Sequence, residues 1–479
     1  MNGKYETVIG LEVHLQLSTK TKAFCGCSLI FGAEPNTEVC PVCLGLPGVL
    51  PVLNRKAFEY AIKVAIALDC DIQKTVKFDR KNYYYPDLPK NYQISQYDMP
   101  LAYNGKVTIT AEDGGLKDIG ITRAHMEEDA GKLIHDERAP FSYVDLNRTG
   151  TPLLEIVSEP DLRTPEEAYT YLTTIKQIIK YLDVSDCNME EGSLRCDANI
   201  SLRKKGEKKF GSKVEIKNLN SFKAVRDALG FEQERQREAL DSGEEIIQET
   251  RLWDEKKMVT LSMRRKEEAQ DYRYFPEPDL VPFEVSASLV EEVRASMPEG
   301  PQKKQKRFSE TYKLSAKDVE ALVSERDIAD FYEETLGHFN KPQVVCNWIK
   351  GEIMRHIKER SAGVKALGIS AHDLAELIKM VDSGVISGLS GKEVLTASIE
   401  TGKAPGVIVR EKALEQVSDE GALNSAVDEV IKENEKGAND FRGGKANALA
   451  FLVGQVMKKT KGKANPKLAG EMLRKRLEA

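Results

Sequence analysis

The run Ile121-Thr122-Arg123-Ala124-His125-Met126-Glu127-Glu128-Asp129-Ala130-Gly131-Lys132 packs possible metal ligands more closely than any other part of the chain. Three consecutive carboxylates follow an imidazole, with Arg123 and Lys132 on either side. Such a group is costly to place except on a solvated surface or around a cation. Taken alone, it reads equally well as a charged strand end. Other strand-like stretches carry the same kind of side chain. Residues 8–17 alternate, with Leu11, Val13, Leu15 and Leu17 on one face and Glu12, His14 and Gln16 on the other. This sets a carboxylate and an imidazole about 7 Å apart along the strand. In residues 192–202, Leu194, Cys196, Ala198, Ile200 and Leu202 oppose Arg195, Asp197, Asn199 and Ser201. Glu215 lies between Lys213 and Lys217 in a short strand, and Glu155 is embedded in apolar residues 153–157, where an unpaired carboxylate would be expensive. Side by side, such strands would line one sheet face with Glu, Asp, His, Arg and Lys. That face suits Mg2+ bridging ATP phosphates while basic side chains neutralise the transferring group.

A second constellation is Cys25-Gly26-Cys27, then twelve residues, then Cys40-Pro41-Val42-Cys43. Two close cysteine pairs at this separation suit a tetrahedral structural Zn2+ knuckle, although Cys-x-Cys is less common than Cys-x2-Cys. Disulfides are the alternative, disfavoured in a cytoplasmic protein. Cys70, Cys187, Cys196 and Cys346 stand in mostly apolar settings and read as core residues. The stretch Phe78–Tyr92 interleaves cations with tyrosines and prolines, as does 271–279, which suits rigid loops that present donors to an anion or stacking surfaces to a base. There is no Gly-x4-Gly-Lys-Ser/Thr loop, no Gly-x-Gly-x2-Gly helix opening and no Gly-x-Ser-x-Gly elbow, so phosphate-loop, dinucleotide-fold and serine-hydrolase readings lack their signatures.

Around these residues the chain has the make-up of a soluble globular protein: 41% hydrophobic, 30% charged, net charge −6 over 479 residues. No apolar run approaches a membrane span and the N-terminus does not read as a signal peptide, so a cytoplasmic location is expected. From Arg442 to Arg476 ten Lys or Arg, among them Lys445, Lys458, Lys459, Lys461 and Lys463, face the single acid Glu471. A basic end on an acidic body suits nucleic-acid phosphates, with a merely solvated helical face as the alternative. Residues 56–68 read as a helix with Ala57, Tyr60, Ala61, Val64, Ala65 and Leu68 on its buried stripe. After about residue 292 the pattern turns helical, across Met297-Pro298-Glu299-Gly300-Pro301.

The motifs VIGLEVH (8–14), FDRKNYYYPD (78–87), YQISQY (92–97), HMEEDAGK (125–132), VDLNRTGTPLLEIVSEP (144–160), MEEGSLRCDANIS (189–201), KNLNSF (217–222) and DYRYFPEPD (271–279) are long and particular. From residue 8 to the C-terminus the chain resembles the GatB family, one of the component chains of bacterial tRNA-dependent amidotransferases. The resemblance implies an α+β chain: a mainly antiparallel-sheet cradle domain like glutamine synthetase and creatine kinase (1–292, with the zinc knuckle at 25–43), an all-helical domain (293–407), and a basic helical tail related to YqeY (408–479). It implies ATP-dependent phosphorylation of the side-chain carboxylate of Glu-tRNA(Gln) or Asp-tRNA(Asn), followed by amidation with ammonia from a partner. The partners implied are an amidase subunit GatA, a small subunit GatC, tRNA(Gln) or tRNA(Asn), and the cognate aminoacyl-tRNA synthetase. By the same resemblance Glu12, His14, Glu128 and Glu215 are expected at the metal or phosphate site, with Glu128 holding Mg2+ and Glu127, Glu155, Glu190 and Asp197 as further candidates. Lys81 is expected at the reacting acyl group or phosphate. Arg195, with Asp197 and Asn199 on its face, is expected at the nucleotide, and the tail from Arg442 to Lys463 on tRNA. The competing expectation is a zinc-containing tRNA-binding scaffold without a catalytic site of its own.

Overall fold

The alternation in residues 8–17 is one strand of a large sheet. A computed structural model describes residues 3–135, 140–265, 272–414, 420–443, 445, 447–460, 464 and 466–478. Its strands in chain order are β1 (Tyr5–Gln16), β2 (Asp71–Ile72), β3 (Thr75–Val76), β4 (Asp79–Asn82), β5 (Tyr92–Ser95), β6 (Ala102–Thr110), β7 (Leu116–Glu128), β8 (Lys132–His135), β9 (Ser142–Asp145), β10 (Pro152–Ser158), β11 (Leu194–Lys204), β12 (Val214–Lys217), β13 (Glu249–Asp254), β14 (Val259–Arg265), β15 (Arg273–Pro276) and β16 (Phe283–Glu284). The large sheet runs β14-β13-β12-β11-β1-β10-β7-β6-β2. Every neighbouring pair in it is antiparallel except β12 with β13. An α+β chain with a large, mainly antiparallel sheet is therefore established.

Because side chains alternate along a strand, the register decides which residues share a face. One face of the sheet carries Leu11, Val13, Leu15, Leu154, Ile156, Cys196, Ala198 and Ile216, all buried. After the one-turn α1 (Pro41–Leu44), helices α2 (Arg55–Ala67), α3 (Pro165–Leu182) and α4 (Phe222–Asp241) cover it, α2 against β7, α3 against β6 and α4 against β11. Their ends follow from local chemistry. The side chains of Asn54, Thr164 and Ser221 accept from the first free backbone N–H groups of the three helices. Asn54 starts α2 one residue before the sequence pattern does, and Tyr60 is only half-buried while Phe58 and Ile62 are in the core. The opposite face is polar. Beside it stands a small sheet, β15-β4-β5, built from the two tyrosine-rich stretches, with β5 against β7.

The chain divides into two units, Met1–Gly300 and Pro301–Ala479. The second is helical from Pro301–Tyr312 to Pro466–Glu478, and its last four helices share a core that includes Leu423, Val427, Leu452, Val456 and Leu473. Among the described residues no helix is long and apolar enough to cross a membrane.

Candidate functional site

On the polar face three strands bring their titratable groups into one row. His14 on β1 lies opposite Glu155 on β10, which lies opposite His125 on β7, while Arg195 on β11 flanks His14 from the other side. Glu127, two residues beyond His125, shares that face. His14 Nε2 is 3.3 Å from Glu155 and 3.8 Å from Glu127. His125 Nε2 is 3.4 Å from Glu155 and 3.9 Å from Glu127. One ligand atom from each of His14, Glu127 and Glu155 falls within 4.8 Å of the others.

This is an unstable grouping for a dry sheet face. Burial drives the Glu127 carboxyl up, whereas Glu155 is held well below the usual carboxylate range because His125, His14 and Lys81 outweigh its own burial. Burial works against the His14 proton, yet Glu155 and Glu127 hold its pKa above the ordinary value. His125, fully enclosed, is lowered to about 4 by burial, and its Nδ1 has no hydrogen-bond partner among the described residues. Lys81 on β4 is half-buried nearby. Burial disfavours its charge, but Glu127 and Glu155 keep the ammonium protonated, and it stands 4.8 Å from the centre of the Tyr272 ring. Two carboxylates and an imidazole converging at this distance fit a hard divalent cation, with Lys81 alongside to neutralise an anionic group.

One strand over, a second polar group continues the face. Asn199 Nδ2 donates to Glu12 (2.9 Å). Lys217 Nζ pairs with Asp197 (2.7 Å) and Glu215 (3.2 Å), and Thr250 donates to Glu215 (2.8 Å). Burial raises the Glu12 carboxyl, helped by Glu155 and Asp197. Arg195 donates to Asp129 (2.9 Å), which also accepts from Gln16 (3.1 Å). Thus Glu12, His14, Glu127, Glu155, Arg195, Asp197, Asn199 and Glu215 all lie on one face, but only His14, Glu127 and Glu155 converge. Glu215 is separated from β1 by β11 and is occupied by Lys217 and Thr250.

Two expectations are corrected. Glu128 does not face the cluster: one residue after Glu127 on the same strand, it points the other way, into a buried ion pair with Lys90 and a hydrogen bond from Ile94 N (2.9 Å). Glu190 is exposed in the turn before β11 and belongs to neither group. Conversely, His125 and Asp129 stand in the run of possible ligands but are given no individual role by the sequence, although the parity of 125, 127 and 129 puts them on the face of Glu127.

Cys25, Cys27, Cys40 and Cys43 do converge, their sulfurs within 4.8 Å of one another and all four free thiols. The Cys40 and Cys43 sulfurs are 3.9 Å apart, close to the ~3.8 Å edge of a tetrahedron with Zn–S of ~2.3 Å. A structural metal fits. Cys40 N donates to Cys43 Sγ (3.2 Å), as backbone does in cysteine knuckles. The turn closes at Gly45, φ +68°, where a Cβ would collide with Lys90 Cγ, so both conformation and space require glycine. Cys187, Cys196 and Cys346 are buried, as the sequence suggests, and Cys70 half-buried.

In the tail, Lys459 pairs with Glu429 (2.7 Å) and Glu433 (2.6 Å), and Lys445 with Asp440 (2.9 Å). Arg442 and Lys458 are exposed, and Lys461 and Lys463 lie outside the described residues.

Comparison with known proteins fits this geometry into a wider group. A family described as the GatB/GatE catalytic domain matches residues 7–291, and one described as a GatB domain matches 330–477. The chain is 55% identical over 477 residues to the B subunit of the aspartyl/glutamyl-tRNA(Asn/Gln) amidotransferase from Carboxydothermus hydrogenoformans, covering 99% of each chain. It is 54% identical over 474 residues to the protein of that name from Caldanaerobacter subterraneus, with 99% of each covered, and 51% identical over 476 residues to that of Brevibacillus brevis, again with 99% of each.

Proposed function

The chain belongs to the GatB family of tRNA-dependent amidotransferase subunits, and from that premise we propose that it is the subunit in which an amino acid mischarged on tRNA becomes the amide. ATP phosphorylates the side-chain carboxylate of Glu-tRNA(Gln) or Asp-tRNA(Asn). Ammonia then displaces inorganic phosphate, leaving Gln-tRNA(Gln) or Asn-tRNA(Asn). The ammonia comes from an amidase partner, GatA, and a small subunit, GatC, completes the assembly in the cytoplasm.

The observation that carries this reading is the convergence of His14, Glu127 and Glu155, two of them buried, on the polar face of the sheet, a grouping that tRNA binding alone does not need. These three residues would hold Mg2+, which when bound would offset phosphate charge during transfer. Lys81 sits where its ammonium meets the acyl group or the phosphate leaving it. Arg195, braced by Asp129, and Lys217, braced by Asp197 and Glu215, present cations for the nucleotide, with Asn199 and Glu12 setting the polarity between them. His125, its Nε2 3.4 Å from the same Glu155 oxygen that His14 approaches, helps to orient that carboxylate. The sheet unit is the cradle, with the same architecture class as glutamine synthetase and creatine kinase. The two compact units divide at Gly300 and Pro301, eight residues beyond the boundary expected at 292, and the separate core of the last four helices is what supports a distinct tail.

The test is Glu155→Gln in the assembled complex, supplied with mischarged tRNA, ATP and ammonium so that the amidase is bypassed. Amide formation is expected to fall at least 100-fold with tRNA affinity within twofold of wild type. Unchanged turnover would mean that the chain is a scaffold and the chemistry lies elsewhere.

A further inference from the structure

Lys22 is fully buried, directly beside the cysteine cluster. Its ammonium donates to Glu38 O at 2.7 Å and stands 3.5 Å from Leu146 O and 3.6 Å from Cys43 Sγ. Among the described residues no carboxylate lies within ion-pair distance of it. An ammonium taken from water without an anion is strongly unfavourable, and two carbonyls replace only part of its hydration. The available negative charge is that of the thiolates. Four thiolates around Zn2+ carry a net charge of −2, whereas a metal-free cluster of mostly protonated thiols offers far less.

We propose that Lys22 is the counter-charge of a tetrathiolate metal centre at Cys25, Cys27, Cys40 and Cys43, and that through it the metal fixes the loop that braces the polar face. The reading rests on the cluster holding a metal. The connections are continuous. The knuckle loop is stitched to residues 144–147 by Asn36 Nδ2 to Val144 O (3.0 Å), Asn36 N to Asp145 (3.1 Å), Glu38 N to Asn147 (2.8 Å) and Asn147 Nδ2 to Glu34 O (2.7 Å). Arg148, next in the chain, donates to Ala130 O (3.0 Å) and Gly131 O (2.6 Å) and lies 3.5 Å from Asp129, the partner of Arg195. Gly150, φ +82°, is the crossing point. A Cβ there would stand 3.4 Å from Lys22 Cδ, 3.6 Å from Cys43 Cβ and 3.7 Å from Glu128. Lys22 thus acts on the reaction face through the loop, as a positioning residue.

The full-length protein is loaded with zinc and titrated with a competing chelator, and melting is followed with and without the metal. Lys22→Met is expected to weaken zinc binding ~10- to 100-fold, the range for losing a partner outside the coordination sphere, and to shrink the rise in Tm that zinc confers. Zinc affinity and Tm rise equal to wild type overturn the proposal. So does a Tm loss of equal size with and without zinc, which is what a packing role alone gives. Should the variant not fold, wild-type protein decides. Lys22 is expected to resist an amine-labelling reagent when zinc is bound and to react after chelation, with faster hydrogen exchange at 129–131 and 144–150. Labelling and exchange indifferent to zinc overturn it. Wild-type protein that binds no zinc defeats the metal reading itself, whereas zinc binding unaltered by Lys22→Met defeats only the role of Lys22.

Discussion

Adjacent glutamates on β7 meet opposite fates, and the difference is one of parity. Glu127 joins His14 and Glu155 on the polar face, while Glu128 turns to the other side and is neutralised by Lys90. The variants Glu127→Gln and Glu128→Gln should therefore separate chemistry from stability. The first is expected to abolish ATP-dependent amidation with little change in the urea midpoint. The second leaves the Lys90 ammonium buried without its anion, which is expected to cost about 3–5 kcal/mol of stability in equilibrium denaturation. The reverse pattern would exchange the roles assigned to the two residues. That Glu127 and not Glu128 faces His14 was legible in principle, since His14 occupies the polar face of an alternating strand and 125, 127 and 129 alternate likewise. The run of three carboxylates obscured it, because composition marks the stretch and says nothing of which member faces the neighbours. Cys25, Cys27, Cys40 and Cys43 were legible from spacing because a knuckle is local, its ligands aimed by short turns of fixed geometry.

At the scale of elements, the alternating strands β1 and β11, unlike β10, which is apolar from Pro152 to Val157 but for Glu155, declare their buried and polar faces in sequence. The pairing order does not, since β7 and β10 meet through registers set by long-range contacts. The two-residue strands β2, β3 and β16 are too short to leave a pattern, and the parallel pairing of β12 with β13 leaves none either. Nor was the attachment of α4 to the sheet edge foreseeable. Glu232 on α4 is fully buried and accepts from Arg235 (2.8 Å) and Thr260, with Arg251 3.1 Å away, joining the helix to β13 and β14. Burial raises its pKa, but Arg235 and Thr260 prevail and the folded value lies below the ordinary one. Its contribution to stability is thus complete above about pH 4.5 and is lost as pH falls from there through the lower, folded value. Glu232→Gln is expected to lower stability at pH 7 by about 3–5 kcal/mol and to flatten the acid limb of a stability-versus-pH curve below about pH 4.5. An acid limb as steep as wild type would place the titrating group elsewhere.

For the whole molecule, counting charge along the sequence overstates how much of the basic end is free to meet phosphate. The count from Arg442 to Arg476 stops short of the acidic helix Glu420–Glu433, whose side chains the fold brings back against it: Lys459 meets Glu429 and Glu433, and Arg476 meets Asp428 (2.5 Å). A cation already paired must give up its carboxylate to take a phosphate, so it adds less to binding than an exposed lysine without such a partner. Lys458 is of the second kind among the described residues, exposed on the helix Asn447–Lys459 directly before Lys459. Removing residues 408–479 is expected to weaken tRNA binding at low salt and to reduce the slope of log Kd against log salt, by about 0.7–0.9 for each phosphate no longer neutralised. Within the intact chain, Lys458→Ala is expected to lower tRNA affinity by more than Lys459→Ala, with the larger drop in salt slope. Lys459→Ala should instead lower the tail's melting temperature less than its two ion pairs suggest, because exposed pairs contribute little. Equal effects of the two substitutions on affinity and slope would mean that the acidic helix releases its lysine on binding, and that net charge, not pairing in the free protein, governs the contact.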